Sequence, residues 1–298
     1  MRNRLGKYLV IAADNDPKLI LLVGDIGFGI FDEFIEKHPD KFINCGIAEQ
    51  NMIGTASGLA STGFHVVVYT IIPFLIYRPF DFIRNLIAHQ NIPVCLIGVG
   101  GGYAYDNLGF THYGKEDLAL VSTLPNFRIF TPFDPNSAEI CFKNAFNFKS
   151  PTYIRLMKGG EDDIFGAKTE DGYSVIGDSD EEYTIFTYGS IVSQILIAVE
   201  MLKNENNLRG KVIIITDIDK TTNLFLKTNG FKIIIEEHLP PGLILSRLIE
   251  DQSRINLDVE TIFISRNKNQ KLEDRIGILK EENLDSLSIK NKILSYFI

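Results

Sequence analysis

Apolar runs of strand length punctuate the first half of the chain at 19–23, 64–69, 93–99, 127–131 and 151–156, with helical patterns between them. The strongest runs are apolar almost throughout, as in Val66-Val67-Val68 and Val94-Cys95-Leu96-Ile97. A strand that alternates apolar and polar residues leaves one face in water, whereas one that is apolar throughout has to be covered on both. Helical patterns at 31–38, 79–89, 117–122 and 136–147 supply the cover. Together they predict an α/β fold built on a parallel sheet.

Composition changes near residue 158. Residues 158–182 are rich in glycine and acid and poor in apolar side chains, and read as a connector with a little β structure. A smaller α/β unit follows. Its strands are expected at 183–187, 211–216, 232–236 and 261–264, and its helices at 192–203 and 242–250. Leu287, Ile289, Ile293, Leu294 and Phe297 suit an amphipathic closing helix. The expected division is 1–160, a linker over 161–182, and 183–298.

With 298 residues and 45% hydrophobic side chains, the chain can bury a sizeable core. A net charge of −8 without a long basic run argues against a nucleic-acid partner. Cys45, Cys95 and Cys141 are scattered and form no C-x-x-C pair, which predicts free thiols in a reducing compartment. Residues 1–6 have no apolar stretch after their charges, and no segment reaches 18 apolar residues, so a cytoplasmic protein without a membrane span is expected. No two histidines have metal-ligand spacing, so no metal site is expected in this chain.

The segment Phe42-Ile43-Asn44-Cys45-Gly46-Ile47-Ala48-Glu49 reads as a strand that ends at Gly46, followed by a helix with Glu49 in its first turn. Most carboxylates in that place only complement the helix dipole. Glu49 also stands at the C-terminal end of a strand, where open α/β sheets hold ligands. The helix behind it is built of Gly54, Thr55, Ala56, Ser57, Gly58, Ala60 and Ser61. Such residues cost helix propensity and predict a close approach to the backbone. His112 lies in a Gly/Tyr/Asn-rich loop after the third strand and is a candidate proton carrier. Phe74 and Tyr77, three residues apart, share a helix face, which suits either a core stripe or stacking on a flat heteroaromatic ligand. The glycine-rich turns at 24–29 and 98–102 lack both the G-x-G-x-x-G spacing and G-K-[ST]. There is no G-x-S-x-G and no zinc-hydrolase motif.

Gly46-Ile47-Ala48-Glu49-Gln50-Asn51-Met52 resembles the G-[IV]-x-E-x-x-M segment of the transketolase family's pyrimidine-binding domain. Further marks follow in the family's order: Val23-Gly24-Asp25, Thr70 to Tyr77, Thr111-His112, Pro132-Phe133-Asp134, and Glu236-Glu237-His238 with Gly242. The resemblance covers nearly the whole chain. It implies a thiamine diphosphate pyrimidine-binding fold followed by a transketolase C-terminal domain. Glu49 is implied at the pyrimidine with Asp25 and Ile47, Phe74 and Tyr77 stacking on that ring, and His112 facing the substrate. A carboxyl at the ring nitrogen opposite the amino group favours the imino form, which can take the thiazolium proton, while the cofactor does the carbon chemistry.

The family binds the diphosphate and a divalent ion such as Mg2+ through a G-D-G…N segment in a separate domain. That segment is absent here, since Gly24-Asp25-Ile26 breaks the pattern. The resemblance therefore implies half of a split enzyme. Its partner is a diphosphate-binding transketolase N-terminal subunit that holds most of the metal contacts, in an α2β2 assembly. Active only with that partner, the enzyme would move a two-carbon ketol unit between sugars. Leu108-Gly109-Phe110 replaces the family's D-G-P, and Thr131 stands where an arginine grips sugar phosphate. Loss of that charged contact points to an unphosphorylated or nucleotide-linked sugar. The alternatives are the beta subunit of a 2-oxo acid dehydrogenase and a non-catalytic assembly paralogue; a scaffold would have no need of Glu49.

Overall fold

The computed structural model of the chain describes residues 1–164, 166–177, 181–250, 258–265 and 273–298. Its first sheet contains β1 (Leu19–Val23), β2 (Phe42–Asn44), β3 (His65–Ile71), β4 (Val94–Val99), β5 (Arg128–Phe130) and β6 (Thr152–Leu156). The strands are all parallel, in the order β2-β1-β3-β4-β6-β5. Every residue of β1, β4 and β6 is buried, as the apolar runs of β1 and β4 require; in β6 the buried set includes Thr152 and Arg155. Leu19, Leu21 and Val23 face one core cluster, while Ile20 and Leu22 face the other. Chain order reverses at β1, which places a crevice between the carboxyl ends of β1 and β3.

Helices cover both faces. They are α1 (Arg2–Asn15), α2 (Asp32–Lys37), α3 (Glu49–Ser61), α4 (Ile72–Ile76), α5 (Phe80–Phe82), α6 (Asp117–Ser122) and α7 (Pro135–Ala145). No element is expected before Leu19, yet α1 stands there and buries Leu5, Leu9, Val10 and Ala13. Their spacing of four, one and three residues is a helical stripe that the sequence does carry. The single helix expected over 79–89 is instead α5 followed by a π-helical turn at Ile83–Ala88, an irregularity of the kind found beside functional sites.

The second sheet contains β7 (Lys168–Glu170), β8 (Tyr173–Ile176), β9 (Tyr183–Thr187), β10 (Gly210–Ile215), β11 (Phe231–Glu236) and β12 (Glu260–Phe263). Its order is β12-β11-β9-β10-β8-β7, parallel except for the antiparallel pairs made by β8 and β7. The segment expected as a connector thus supplies an edge hairpin of this sheet; residues 165 and 178–180 of it lie outside the described residues. Helices α8 (Val192–Asn206), α9 (Thr221–Lys227), α10 (Ile244–Glu250), α11 (Arg275–Glu281) and α12 (Ser286–Leu294) complete the unit. Of these, α9 and α11 have no counterpart in the sequence reading. Among the described residues no helix is long and apolar enough to cross a membrane.

A polar joint couples the two sheets. Arg155 on β6 is buried and donates to Asp117 on α6 at 3.1 Å and to the Gly114 carbonyl at 2.7 Å. Tyr153 donates to the same Asp117 oxygen at 2.6 Å. His238, just past β11, places its Nε2 4.0 Å from the other Asp117 oxygen. Its Nδ1 donates to the Leu239 carbonyl at 2.8 Å, so the neutral ring turns a bare Nε2 towards Asp117. Thr131 is buried in the same joint and donates its hydroxyl to the Ile215 carbonyl at 2.8 Å.

Burial pushes the His238 imidazole down to about 4, with Arg155 adding to the effect and Asp117 opposing it. The unfolded chain would bind a proton at this residue near pH 6.5 that the folded chain refuses. Stability is therefore expected to fall as pH drops from about 6.5 towards 4, by roughly 3 kcal/mol from this residue. Denaturant titrations at pH 7 and pH 5 should show a smaller drop for His238→Gln than for the wild type. Equal drops would mean that His238 does not carry the dependence.

Candidate active site

Four adjacent strands, β2, β1, β3 and β4, end at one edge of the first sheet, and the sequence-predicted site residues follow them. After β1 the chain turns sharply at Asp25, whose φ is 53°. Asn44 clasps this turn to the end of β2. Its Oδ1 accepts from the Asp25 amide at 3.1 Å and from the Gly46 amide at 2.9 Å, and its Nδ2 donates to the Asp25 carboxylate at 3.1 Å. Sequence reasoning missed Asn44; an asparagine between a strand end and a glycine is the signal it offers.

Gly46 then reverses the chain, and α3 opens with Glu49 in its first turn. The Glu49 side chain is only 5% exposed. Arg78, just past α4, donates Nη1 to both of its carboxylate oxygens at 3.0 Å. The Arg78 guanidinium also lies 4.1 Å from the centre of the Phe74 ring. His112 meets the same ring edge-on at a centroid distance of 5.2 Å. Glu49, Arg78, Phe74 and His112 thus form one connected group, although the four residues come from three separate segments, after β2, β3 and β4.

Glycines shape the loop that carries His112. Its neck is closed by Gly102 and Gly114, whose amides donate to each other's carbonyls at 2.7 and 3.1 Å. Gly102 has φ 61°, and a Cβ there would lie 2.4 Å from the Glu237 carboxylate. Glu237 accepts from the Tyr103 amide at 2.9 Å and from the Ser190 hydroxyl at 2.8 Å, and it pairs with Arg275. The second unit therefore anchors the loop that presents His112. Burial, then the Arg78 charge, holds the His112 imidazole below its ordinary range. It is neutral at pH 7 and able to accept a proton.

Tyr77 lines the same cleft as Phe74. Its hydroxyl donates to Glu116 at 2.8 Å, and burial followed by the charges of Asp117 and Glu116 keeps the phenol protonated. It forms a wall of that apolar cleft with Pro73, Phe74, Phe110, Tyr113 and Leu120. Ile47 is 76% exposed. The small residues of α3 are placed differently from expectation. A Cβ on Gly58 would meet open space, and one on Gly54 only the Phe82 ring at 3.8 Å. Among the described residues, nothing packs against the helix closely enough to require either glycine.

This arrangement offers a buried carboxylate, an aromatic face beside it and a neutral imidazole, at the switch point of a parallel sheet. Residues 1–160 match the family described as transketolase, pyrimidine binding domain. A Methanocaldococcus jannaschii protein described as a transketolase C-terminal section is 27% identical over 99% of this chain and 95% of its own length. The 1-deoxy-D-xylulose-5-phosphate synthase of Clostridium perfringens is 30% identical over 97% of this chain, which spans 48% of that enzyme. A split-gene transketolase, solved as an inactive β4 tetramer, matches with a TM-score of 0.82 at 25% identity, covering 99% of this chain and 96% of that one. The chain belongs to the transketolase pyrimidine-binding domain family.

Proposed function

We propose that this chain is the pyrimidine-binding half of a split, thiamine diphosphate-dependent ketol transferase, and that it is active only with a second subunit that grips the diphosphate and its Mg2+. The observation that carries the reading is the buried Glu49 carboxylate beside the Phe74 ring, at the carboxyl ends of β2 and β3. These residues fit the pyrimidine end of the coenzyme, which needs one acceptor for a ring nitrogen and a flat apolar surface. The adjoining cleft, which Phe74 and Arg78 line, is mainly apolar and aromatic, which suits a pyrimidine and not a diphosphate. Bound there, the coenzyme supplies the carbon nucleophile for moving a two-carbon unit between sugars.

Each residue then has a task. Glu49 holds the ring nitrogen and polarises it. Phe74 orients the ring by stacking, and Tyr77 is the wall behind it. Asp25 fixes the turn between β1 and β2 through Asn44. His112 exchanges a proton with a substrate hydroxyl, a role suited to an imidazole that is neutral at pH 7.

Surface features support the partner. Phe28, Ile47 and Phe110, after β1, β2 and β4, are 80%, 76% and 73% exposed. Large apolar side chains gathered along one edge mark an interaction surface. The face of α3 at Gly54 and Gly58 suits a close contact for which the described residues provide no occupant. Ile47 lies where the partner would dock, and an α2β2 assembly would place two such contacts symmetrically. The free thiols of Cys45, Cys95 and Cys141 suit a reducing, cytoplasmic setting. Thr131, turned into the joint between the sheets, offers no grip to a phosphate, which supports an unphosphorylated or nucleotide-linked sugar.

Co-expression with a subunit carrying the diphosphate-binding domain tests the reading. Calorimetric titration with thiamine diphosphate and Mg2+ should give saturable binding to the complex and none to the isolated chain. Saturable binding by the isolated chain would contradict the split arrangement. A panel of ketoses with and without phosphate, offered to the complex, then identifies the donor.

A further inference from the structure

We propose that Arg78 occupies the coenzyme's pyrimidine seat in the free chain and has to leave it before the coenzyme binds. The inference rests on the roles given above to Glu49 and Phe74. A pyrimidine that uses both residues needs a polar edge at the Glu49 carboxylate and a flat face on the Phe74 ring. Arg78 already makes both contacts: one nitrogen lies 3.0 Å from each carboxylate oxygen, and the guanidinium carbon is 4.1 Å from the ring centre. A guanidinium is planar, carries N–H donors in its plane and stacks on aromatic faces, so it reproduces the contacts of a flat, donor-bearing heterocycle. Lysine, a point charge on a flexible stem, could not. Two groups cannot hold the same face of one ring, so the coenzyme and Arg78 compete.

The seat is held loosely enough to be vacated. The Arg78 side chain is 47% exposed, and half-exposed ion pairs contribute little net stability. It follows the short helix α4 and directly precedes Pro79 and the irregular α5 to π-helical stretch, so no long helix restrains it. Glu49 is buried, and without Arg78 both of its carboxylate oxygens would lose the hydrogen bond that the guanidinium gives them. The residue thus keeps a buried charge compensated until the assembled complex delivers a better occupant. It also makes the coenzyme's apparent affinity lower than its contacts alone would give, because only the fraction of chains with an open seat is competent to bind.

Arg78→Ala, co-expressed with the diphosphate-binding subunit, tests this by thiamine diphosphate titration beside the wild-type complex. The variant should bind about tenfold more tightly, equivalent to about 1.4 kcal/mol. Equal or weaker binding by the variant, with normal binding by the wild-type complex, would overturn the seat occupancy and leave the role of Glu49 standing. If neither complex binds the coenzyme, the reading of Glu49 fails and this inference with it. A second measurement needs no partner. Arg78 helps to hold the His112 imidazole down, so NMR titration of the isolated chain should show His112 protonating at higher pH in Arg78→Ala than in the wild type. An unchanged titration would mean that Arg78 does not sit in the cleft of the free chain, and would refute the proposal independently.

Discussion

Glu49→Gln is expected to assemble with the partner subunit as the wild type does and to lose turnover by about 10²–10⁴-fold, the range typical of removing a positioned proton-transfer or polarising group. The substitution keeps the size and shape of the side chain and removes its charge. Folding should tolerate it, because the carboxylate's partner, Arg78, is 47% exposed and can turn to water. The loss should appear in kcat, since an amide can still hydrogen-bond a ring nitrogen but polarises it poorly. Steady-state kinetics of the purified complex, with gel filtration to confirm assembly, separate the two effects. Turnover within a few-fold of wild type would remove Glu49 from the mechanism. Failure of the variant to assemble would place Glu49 in the interface instead.

Arg155→Met is expected to cost about 3–5 kcal/mol of stability, the usual consequence of removing one member of a buried ion pair. Asp117 would keep its charge at a fully buried position, with the Tyr153 hydroxyl at 2.6 Å as its remaining hydrogen-bond donor. The Gly114 carbonyl would also lose a donor. Such a loss is a large part of the total for a typical domain. The double variant Arg155→Met/Asp117→Asn should recover much of it, because the stranded charge is then gone. Denaturant midpoints of the isolated chain provide the test. A single variant within 1 kcal/mol of wild type would show that the joint between the sheets is wetter, or looser, than its geometry indicates. Because Gly114 closes the loop that bears His112, the same variant should also reduce activity.

The sheet scaffold was legible because burial on two faces leaves a plain mark in the chain. The runs at 19–23 and 183–187 coincide with β1 and β9 to the residue, and those at 93–99 and 151–156 exceed β4 and β6 by one residue at the start. Edge elements were harder to read. All three residues of β7 are exposed, so nothing in its composition separates it from a loop until β8 pairs with it. The stripe of α1 was present in the sequence but lies ahead of the first strong strand, where no flanking pattern supports it.

The candidate site divides in the same way. Glu49, Phe74 and His112 are candidates of the sequence itself, from local motifs near strand ends and in a glycine-rich loop, and the structure brings them together. The pairing of Arg78 with Glu49 could not be read there, because the two residues stand 29 positions apart in the chain. The same holds for Asn44, which acts through Asp25, and for the turn of Tyr77 towards Glu116. Residue type and spacing locate the groups that would touch a coenzyme. The partners that hold them in place, or stand in for the coenzyme, become visible only in three dimensions.

The central claim is that Glu49 meets the pyrimidine ring of a coenzyme whose other end is held by a second subunit. A crystal structure of the co-expressed complex with thiamine diphosphate tests it most directly. The expected result is the Glu49 carboxylate within about 2.6–3.2 Å of a pyrimidine ring nitrogen, the ring stacked on Phe74 and the diphosphate held by the partner. A complex with the coenzyme bound elsewhere, and with Glu49 still paired to Arg78, would contradict it.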